Sequence, residues 1–229
     1  MKKRVQIDSA LLSLMIILSG FLYQFPWLYT SSPIDNNIWD IFGLFIVLFG
    51  TFLRMVARGY KKFHSKNGHG LVTEGPYLLV RNPMYLGSFL LGAGFLLIVW
   101  PWWSLPVFVL LFYLRFRRQI IIEEKLLITF FKKDYEAYIK KVPQLIPNFS
   151  TLSKVSMKDV LPWNMAWTTK EKWGLLGWPV IALILESFQE KMVYGTTDIV
   201  TTLCVVSISV MVFGIFLWFV YQAQQKPKR

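Results

Sequence analysis

His69-Gly70-Leu71-Val72-Thr73-Glu74-Gly75-Pro76-Tyr77-Leu78-Leu79-Val80-Arg81-Asn82-Pro83-Met84-Tyr85-Leu86-Gly87 is a turn-rich, polar passage set between long apolar runs. Gly70, Gly75 and Pro76, with Gly68 just ahead of them, interrupt regular structure. Pro83 biases Asn82 away from the helical region and suits the first position of the helix that follows. The passage is therefore expected to bring Tyr77, Arg81, Asn82 and Tyr85 to a membrane surface at the mouth of a helix, as a cofactor-facing loop.

Working outward, the flanking sequence is that of a helical membrane protein. The chain has 229 residues, 55% hydrophobic and 17% aromatic, and several of its apolar runs approach the roughly 20 residues needed to cross a bilayer. The expected fold is all-α and integral to the membrane, with about six transmembrane helices at residues 9–28, 38–56, 84–100, 105–122, 175–188 and 199–221. Only Pro101-Trp102-Trp103-Ser104 separates the third span from the fourth, so these two form a tight helical hairpin with aromatic rings suited to the interface. The fifth span is short and carries Gly174, Gly177 and Pro179, which favours a kink or partial insertion.

The formal charge is +12, but the basic residues flank apolar spans, as expected of cytoplasmic segments beside anionic lipid rather than of a nucleic-acid binder. Lys2-Lys3-Arg4, the group Arg54, Arg58, Lys61, Lys62 and Lys66, the group Arg115, Arg117, Arg118 and Lys125, and the tail from Lys226 to Arg229 all fall on one side if six spans are crossed. Both termini are then cytoplasmic, and the polar passage shares that side with the segment following residue 115. The spans are nearly free of ionisable groups, which argues against a transporter. The single cysteine, Cys204, permits no internal disulfide, and with only His64 and His69 as imidazoles no metal site is expected. Gly92-Ala93-Gly94 reads as helix packing, not as a dinucleotide fingerprint.

Residues 115–127 contain no glycine or proline and read as a helix that continues out of the membrane. Glu123 and Glu124 are adjacent on it, about 100 degrees apart, so they point in different directions: one is free to meet a ligand while the other caps or pairs with a nearby cation. Farther on, Tyr135 and Tyr138 share a helical face before Val142-Pro143 and Ile146-Pro147 end the helix. Arg81 offers a fork of charge-assisted bonds for a carboxylate or phosphate, or for a lipid headgroup.

Taken in order, His69-x-Leu71-Val72-Thr73-x-Gly75-Pro76-Tyr77, Arg81-x-Pro83-x-Tyr85-x-Gly87, Glu123-Glu124 and Tyr135-x-x-Tyr138-x-x-x-Val142-Pro143 resemble the isoprenylcysteine carboxyl methyltransferase and phospholipid methyltransferase superfamily over roughly residues 40–147. The resemblance implies an integral membrane enzyme dependent on S-adenosylmethionine, with a cytoplasm-facing cofactor pocket built from the two polar segments. By similarity, His69, Leu71, Gly75 and Tyr77 line the cofactor and Asn82, Pro83 and Tyr85 shape its pocket. Glu123 and Glu124 meet its polar groups, and Arg81 and Glu124 are the catalytic candidates. A positively charged methyl donor suits carboxylates and aromatic faces, and its own carboxylate suits a cation such as Arg81. With residues 148–173, rich in Ser, Thr, Lys and Trp, read as an interfacial linker, the expected division is an anchor at 1–37, a methyltransferase-like catalytic core at 38–147, that linker, and a two-helix membrane segment at 174–229. Two positions depart from the family pattern: Asn82 stands where many members have histidine, and Lys132 where a glycine is common.

The methyl acceptor is expected to be lipidic and to enter from the bilayer as a prenylcysteine carboxylate, a phospholipid amine or another isoprenoid. The alternatives are an NADPH-dependent membrane reductase of the sterol type, whose arginine-proline-tyrosine passage is similar, and a non-catalytic membrane scaffold of the same fold.

Overall fold

The computed structural model describes residues 17–29, 33–65, 70–147, 155–195 and 198–225. His69 and the opening of the first expected span lie outside them, as do both charged termini. The described residues are helical, without strands. Residues 17–22 form a helical turn and a half that leads into a 3-10 turn at Pro26–Leu28. The main helices are α1 (Pro33–His64), α2 (Pro83–Val99) and α3 (Leu105–Lys141). They are followed by the short α4 (Met157–Val160) and α5 (Trp163–Ala166), and then by α6 (Lys172–Tyr194) and α7 (Ile199–Gln225). Two helical stretches, Asn36–His64 and Ile199–Gln225, are long and apolar enough to cross a membrane, and α2 is a shorter apolar helix.

α1 is the hub, with α2, α5, α6 and α7 packed around it. The α1–α2 contact is antiparallel and unusually close, because glycines face one another at two levels. A methyl group at Gly94 would lie 2.4 Å from the Gly43 carbonyl oxygen, and one at Gly50 would lie 2.7 Å from that of Gly87. In lipid, where apolar burial alone gives helices little reason to associate, such small-residue contacts supply the van der Waals packing. Gly94 thus takes the packing role expected of the Gly92-Ala93-Gly94 run, and Gly92 meets the Phe108 ring in the same way. Between α2 and α3, Trp102–Ser104 form one 3-10 turn, with Trp102 stacked on Trp39 at 6.2 Å. The expected tight hairpin is present.

Residues 155–171 do more than link elements. Val160, Leu161 and Ala166 are buried in the main apolar core beside Phe52 and Val56, and a methyl group at Gly59 would collide with the Met165 carbonyl. At the other end of α1, Asp40, Glu186 and Gln189 are each 1% exposed. Asn36 donates to Asp40 at 2.7 Å and to Gln189 at 3.4 Å. The spans are expected to be nearly free of ionisable groups, with Glu186 close to an end; the structure buries Glu186 and Asp40.

Candidate functional site

Pro83 opens α2, and Asn82 precedes it at φ −124°, ψ 60°, outside the helical region, as the Asn-Pro pair dictates. Upstream, Gly75 adopts φ +64° with its Cα against the Tyr60 ring, so that a Cβ would sit 2.7 Å from that ring. Only glycine meets both demands, and the chain turns there into the 3-10 turn Gly75–Leu78. Tyr77 is thereby buried, its hydroxyl directed at the Ala57 carbonyl at 3.4 Å.

α3 continues past the apolar hairpin as expected but is broken at Lys132 (φ 43°, ψ −118°), the one non-glycine residue with positive φ among those described. This is the position where the sequence departs from the family's glycine. The limb beyond the break packs Tyr135, Tyr138 and Val142 against Tyr77, Tyr60 and Ala57, with Leu71 and Val72 beside them. Tyr138 donates to the Tyr77 carbonyl at 2.6 Å. Burial raises the pKa of Tyr138 and of Tyr77. Burial, and then the Glu124 charge, push Tyr135 up to about 12.

Where the loop meets α3, Arg81 and Glu124 form a bidentate ion pair, Nε to Oε1 at 3.0 Å and Nη2 to Oε2 at 3.3 Å. The two side chains are only 10% and 12% exposed. Arg81 Nη1 donates to the carbonyls of Val142 (2.8 Å) and Ile139 (3.2 Å). Glu124 also accepts from Asn82 at 3.1 Å and from Gln144 at 2.9 Å. The backbone N–H groups of Arg81 and Asn82 donate to Pro143 and Gln144. Every guanidinium nitrogen therefore already donates within the protein, and the Asn82 amide ties the loop to α3 instead of capping α2.

Glu123 points elsewhere. It accepts from Tyr85 at 2.8 Å and from Gln119 at 2.8 Å, and with Tyr85 it borders a half-open cleft of about 770 Å³. Arg54, Arg58 and Lys61 of α1 and Ser88 of α2 supply the remaining polar lining. Met84, Leu126, Leu127, Phe130 and Phe131 supply the apolar wall. The volume is in the range of small-molecule sites. Of the residues singled out from sequence, Tyr85 and Glu123 border the cleft. Arg81, Asn82 and Glu124 form the adjoining knot, while Leu71 and Tyr77 belong to the aromatic cluster and Gly75 and Pro83 shape the backbone. Arg54, Arg58 and Lys61 were not singled out, because juxtamembrane cations have a sufficient topological explanation. Their i, i+4, i+7 spacing, which puts all three on one helical face, was the available signal.

The chain matches known proteins over about half its length. Residues 39–134 match the family described as phospholipid methyltransferase. A protein-S-isoprenylcysteine O-methyltransferase of Schizosaccharomyces pombe is 35% identical over 119 residues, covering 48% of this chain and 50% of that protein. The Saccharomyces cerevisiae protein of the same name is 31% identical over 125 residues, covering 51% and 52%. That of Xenopus laevis is 35% identical over 116 residues, covering 47% and 40%. The chain spans about half the length of the curated relatives it matches, and no solved structure matches it. Residues 39–134, which carry most of α1, the loop, α2 and most of α3, are thus similar to the phospholipid methyltransferase family, and the chain is similar over about half its length to protein-S-isoprenylcysteine O-methyltransferases.

Proposed function

We propose that the chain is a membrane methyltransferase that esterifies a lipid-borne carboxylate, the acceptor being a prenylated cysteine. The observation that carries this reading is the charge of the cleft wall: Arg54, Arg58 and Lys61 line it with Glu123, and it stays cationic even with Glu171 paired to the two arginines from behind, facing an apolar wall of leucines and phenylalanines. An amphiphilic acid complements that pairing of surfaces, whereas a phospholipid amine, protonated near neutral pH, would meet three cations. The acid also needs less from the protein. Its oxygen is ionised before reaction and displaces sulfur from the methyl carbon without first losing a proton. An ammonium must be deprotonated, and Asn82, an amide, cannot accept that proton.

S-adenosylmethionine, when bound, supplies an electrophilic methyl group on a positively charged sulfur. The residues present fit such a group: the Glu123 carboxylate, oriented by Tyr85 and Gln119, offers a negative charge in a cleft that Phe130 and Phe131 also line. In this reading Glu123 and Tyr85 hold the sulfonium. The Arg81–Glu124 knot then works as a frame that fixes the start of α2 against α3, and with it the angle at which Tyr85 meets Glu123. Leu71, Gly75, Tyr77, Asn82 and Pro83 belong to the same frame. The arginine wall orients the acceptor carboxylate, and the apolar wall excludes water from the displacement, where positioning supplies most of the rate.

The placement in the membrane is part of the proposal. About six crossings, through residues 17–22 with what precedes them, α1, α2, the first half of α3, α6 and α7, put the cleft and both termini on the cytoplasmic side, as the distribution of basic residues favours. Residues 38–147 are then the catalytic core. The test is methyl transfer by the purified protein in lipid nanodiscs from radiolabelled S-adenosylmethionine, with N-acetyl-S-farnesylcysteine or phosphatidylethanolamine as acceptor. Base-labile label on the farnesyl acid alone is the expected result. Label on the phospholipid amine would overturn the acceptor assignment, and no labelled product from either would overturn methyl transfer.

A further inference from the structure

Glu171 lies outside residues 39–134, in the turn that leads into α6, and its carboxylate reaches back to α1. Its Oε1 accepts from Arg58 Nη1 at 2.9 Å and from Arg54 Nη2 at 3.0 Å. Its Oε2 is buried and accepts no hydrogen bond from the described residues, so among these the two arginines are the side-chain partners of the carboxylate. Arg54 is held at a second nitrogen as well, donating from Nη1 to Ser88. Both arginines border the cleft and Glu171 does not. The carboxylate sits behind the cationic wall, bridging two guanidinium groups one helical turn apart that would otherwise repel each other.

We propose that Glu171 is a positioning residue for the acceptor: by bridging Arg54 and Arg58 it fixes the direction of their remaining N–H groups into the cleft, which makes the segment after residue 155 part of the acceptor site as well as a membrane anchor. This rests on the reading of the cleft as the acceptor's. Without the bridge the wall carries more positive charge but loses its geometry. A carboxylate recognised by oriented, paired donors depends on that geometry more than on charge. The turn that carries Glu171 is fixed independently: Gly174 N–H donates to the Glu171 carbonyl at 2.8 Å, and Ala166, a few residues upstream, is fully buried.

The experiment measures binding of two probes, N-acetyl-S-farnesylcysteine and its methyl ester, to the wild type and to the Glu171→Gln and Glu171→Asp variants in nanodiscs. Binding of S-adenosylhomocysteine is measured in parallel. The expected result is that Glu171→Gln weakens binding of the acid about tenfold, the loss of roughly one charge-assisted contact. The ester, which has no carboxylate, and S-adenosylhomocysteine are expected to bind as before, with Glu171→Asp restoring part of the acid affinity. Equal binding of the acid to Glu171→Gln and wild type would overturn the proposal, as would parallel loss of acid and ester, which marks a merely structural role. Failure of the wild type to bind the acid would overturn it too. In that last case, retained affinity for S-adenosylhomocysteine would leave methyl transfer standing with a different acceptor, whereas loss of both ligands would remove the functional reading itself.

Discussion

Removing Arg81 should lower the stability of the protein rather than its affinity for any ligand. The side chain lies 10% exposed against a Glu124 that is 12% exposed, and it also satisfies the carbonyls of Ile139 and Val142. Breaking a buried ion pair by deleting one partner costs about 3–5 kcal/mol, because the surviving charge is left uncompensated. Glu124 would keep its bonds from Asn82 and Gln144, which places Arg81→Ala at the low end, about 3 kcal/mol. For a chain of this length that is a fall in Tm of about 6–12 °C. Glu124→Gln loses the charge and turns one of the two acceptor oxygens into an amide donor facing other donors, and should cost about 2 kcal/mol. Since each single change abolishes the same pairing, the double variant should fall short of the sum by about 1–2 kcal/mol. Thermal unfolding in nanodiscs, followed by tryptophan fluorescence, provides all four corners of the cycle. The reasoning is refuted if Arg81→Ala melts within about 2 °C of wild type, a shift of no more than about 1 kcal/mol, and binds S-adenosylhomocysteine poorly. That result would make Arg81 a direct grip on the cofactor's carboxylate, as the family resemblance alone implies.

Other consequences are open to the same measurement. Lys132→Gly should raise Tm by about 2–4 °C, because a non-glycine residue at φ 43°, ψ −118° stores about 1–3 kcal/mol that glycine relieves, less its own entropic cost. Gly94→Ala should cost about 1–3 kcal/mol, since the new methyl group falls 2.4 Å from the Gly43 carbonyl oxygen, whereas Gly214→Ala, with open space around it, should cost nothing. Alkaline pH should loosen the core: burial keeps Tyr135 neutral to about pH 12, whereas an unfolded tyrosine ionises near pH 10. The contribution of Tyr135, joined by Tyr77 and Tyr138 shifted in the same sense, is therefore complete below pH 10 and lost as pH climbs from about 10 through 12. Stability measured from pH 8 to 12 should show that decline, and Tyr135→Phe should lessen it.

The parts of the site legible in the sequence are those governed by local rules. Pro83 after Asn82 marks the start of α2, Gly75 marks the turn, and neighbouring glutamates on a helix cannot share a direction. Accordingly Glu124 meets Arg81 while Glu123 meets Tyr85 and the cleft. The Gly92-Ala93-Gly94 run likewise identified close helix packing, although not its partner, Gly43. What stayed hidden is tertiary. Nothing local links Arg81 to carbonyls some 60 residues on, or brings Glu171 back to Arg54 and Arg58. Residues 155–171 have the composition of an interfacial linker, yet they bury Val160, Leu161 and Ala166 against α1. The basic face of α1 explained itself as topology, so its place on the cleft became visible only once α3 had been laid against α2. The burial of Asp40 near Glu186 stayed hidden for a related reason: the two residues lie on helices far apart in sequence and meet only in the folded bundle.

The central claim is that Glu123, oriented by Tyr85 beside the aromatic wall of the cleft, holds a positively charged methyl donor. Calorimetric titration tests it most directly, using sinefungin, whose amine carries the positive charge near the position of the sulfonium, and S-adenosylhomocysteine, which lacks that charge, against the wild type and Glu123→Gln. The account predicts that wild type binds both, and that Glu123→Gln weakens sinefungin about tenfold, about 1.4 kcal/mol, while affecting S-adenosylhomocysteine far less. Wild-type protein that binds neither ligand, or a Glu123→Gln variant that binds sinefungin as tightly as wild type, would contradict it.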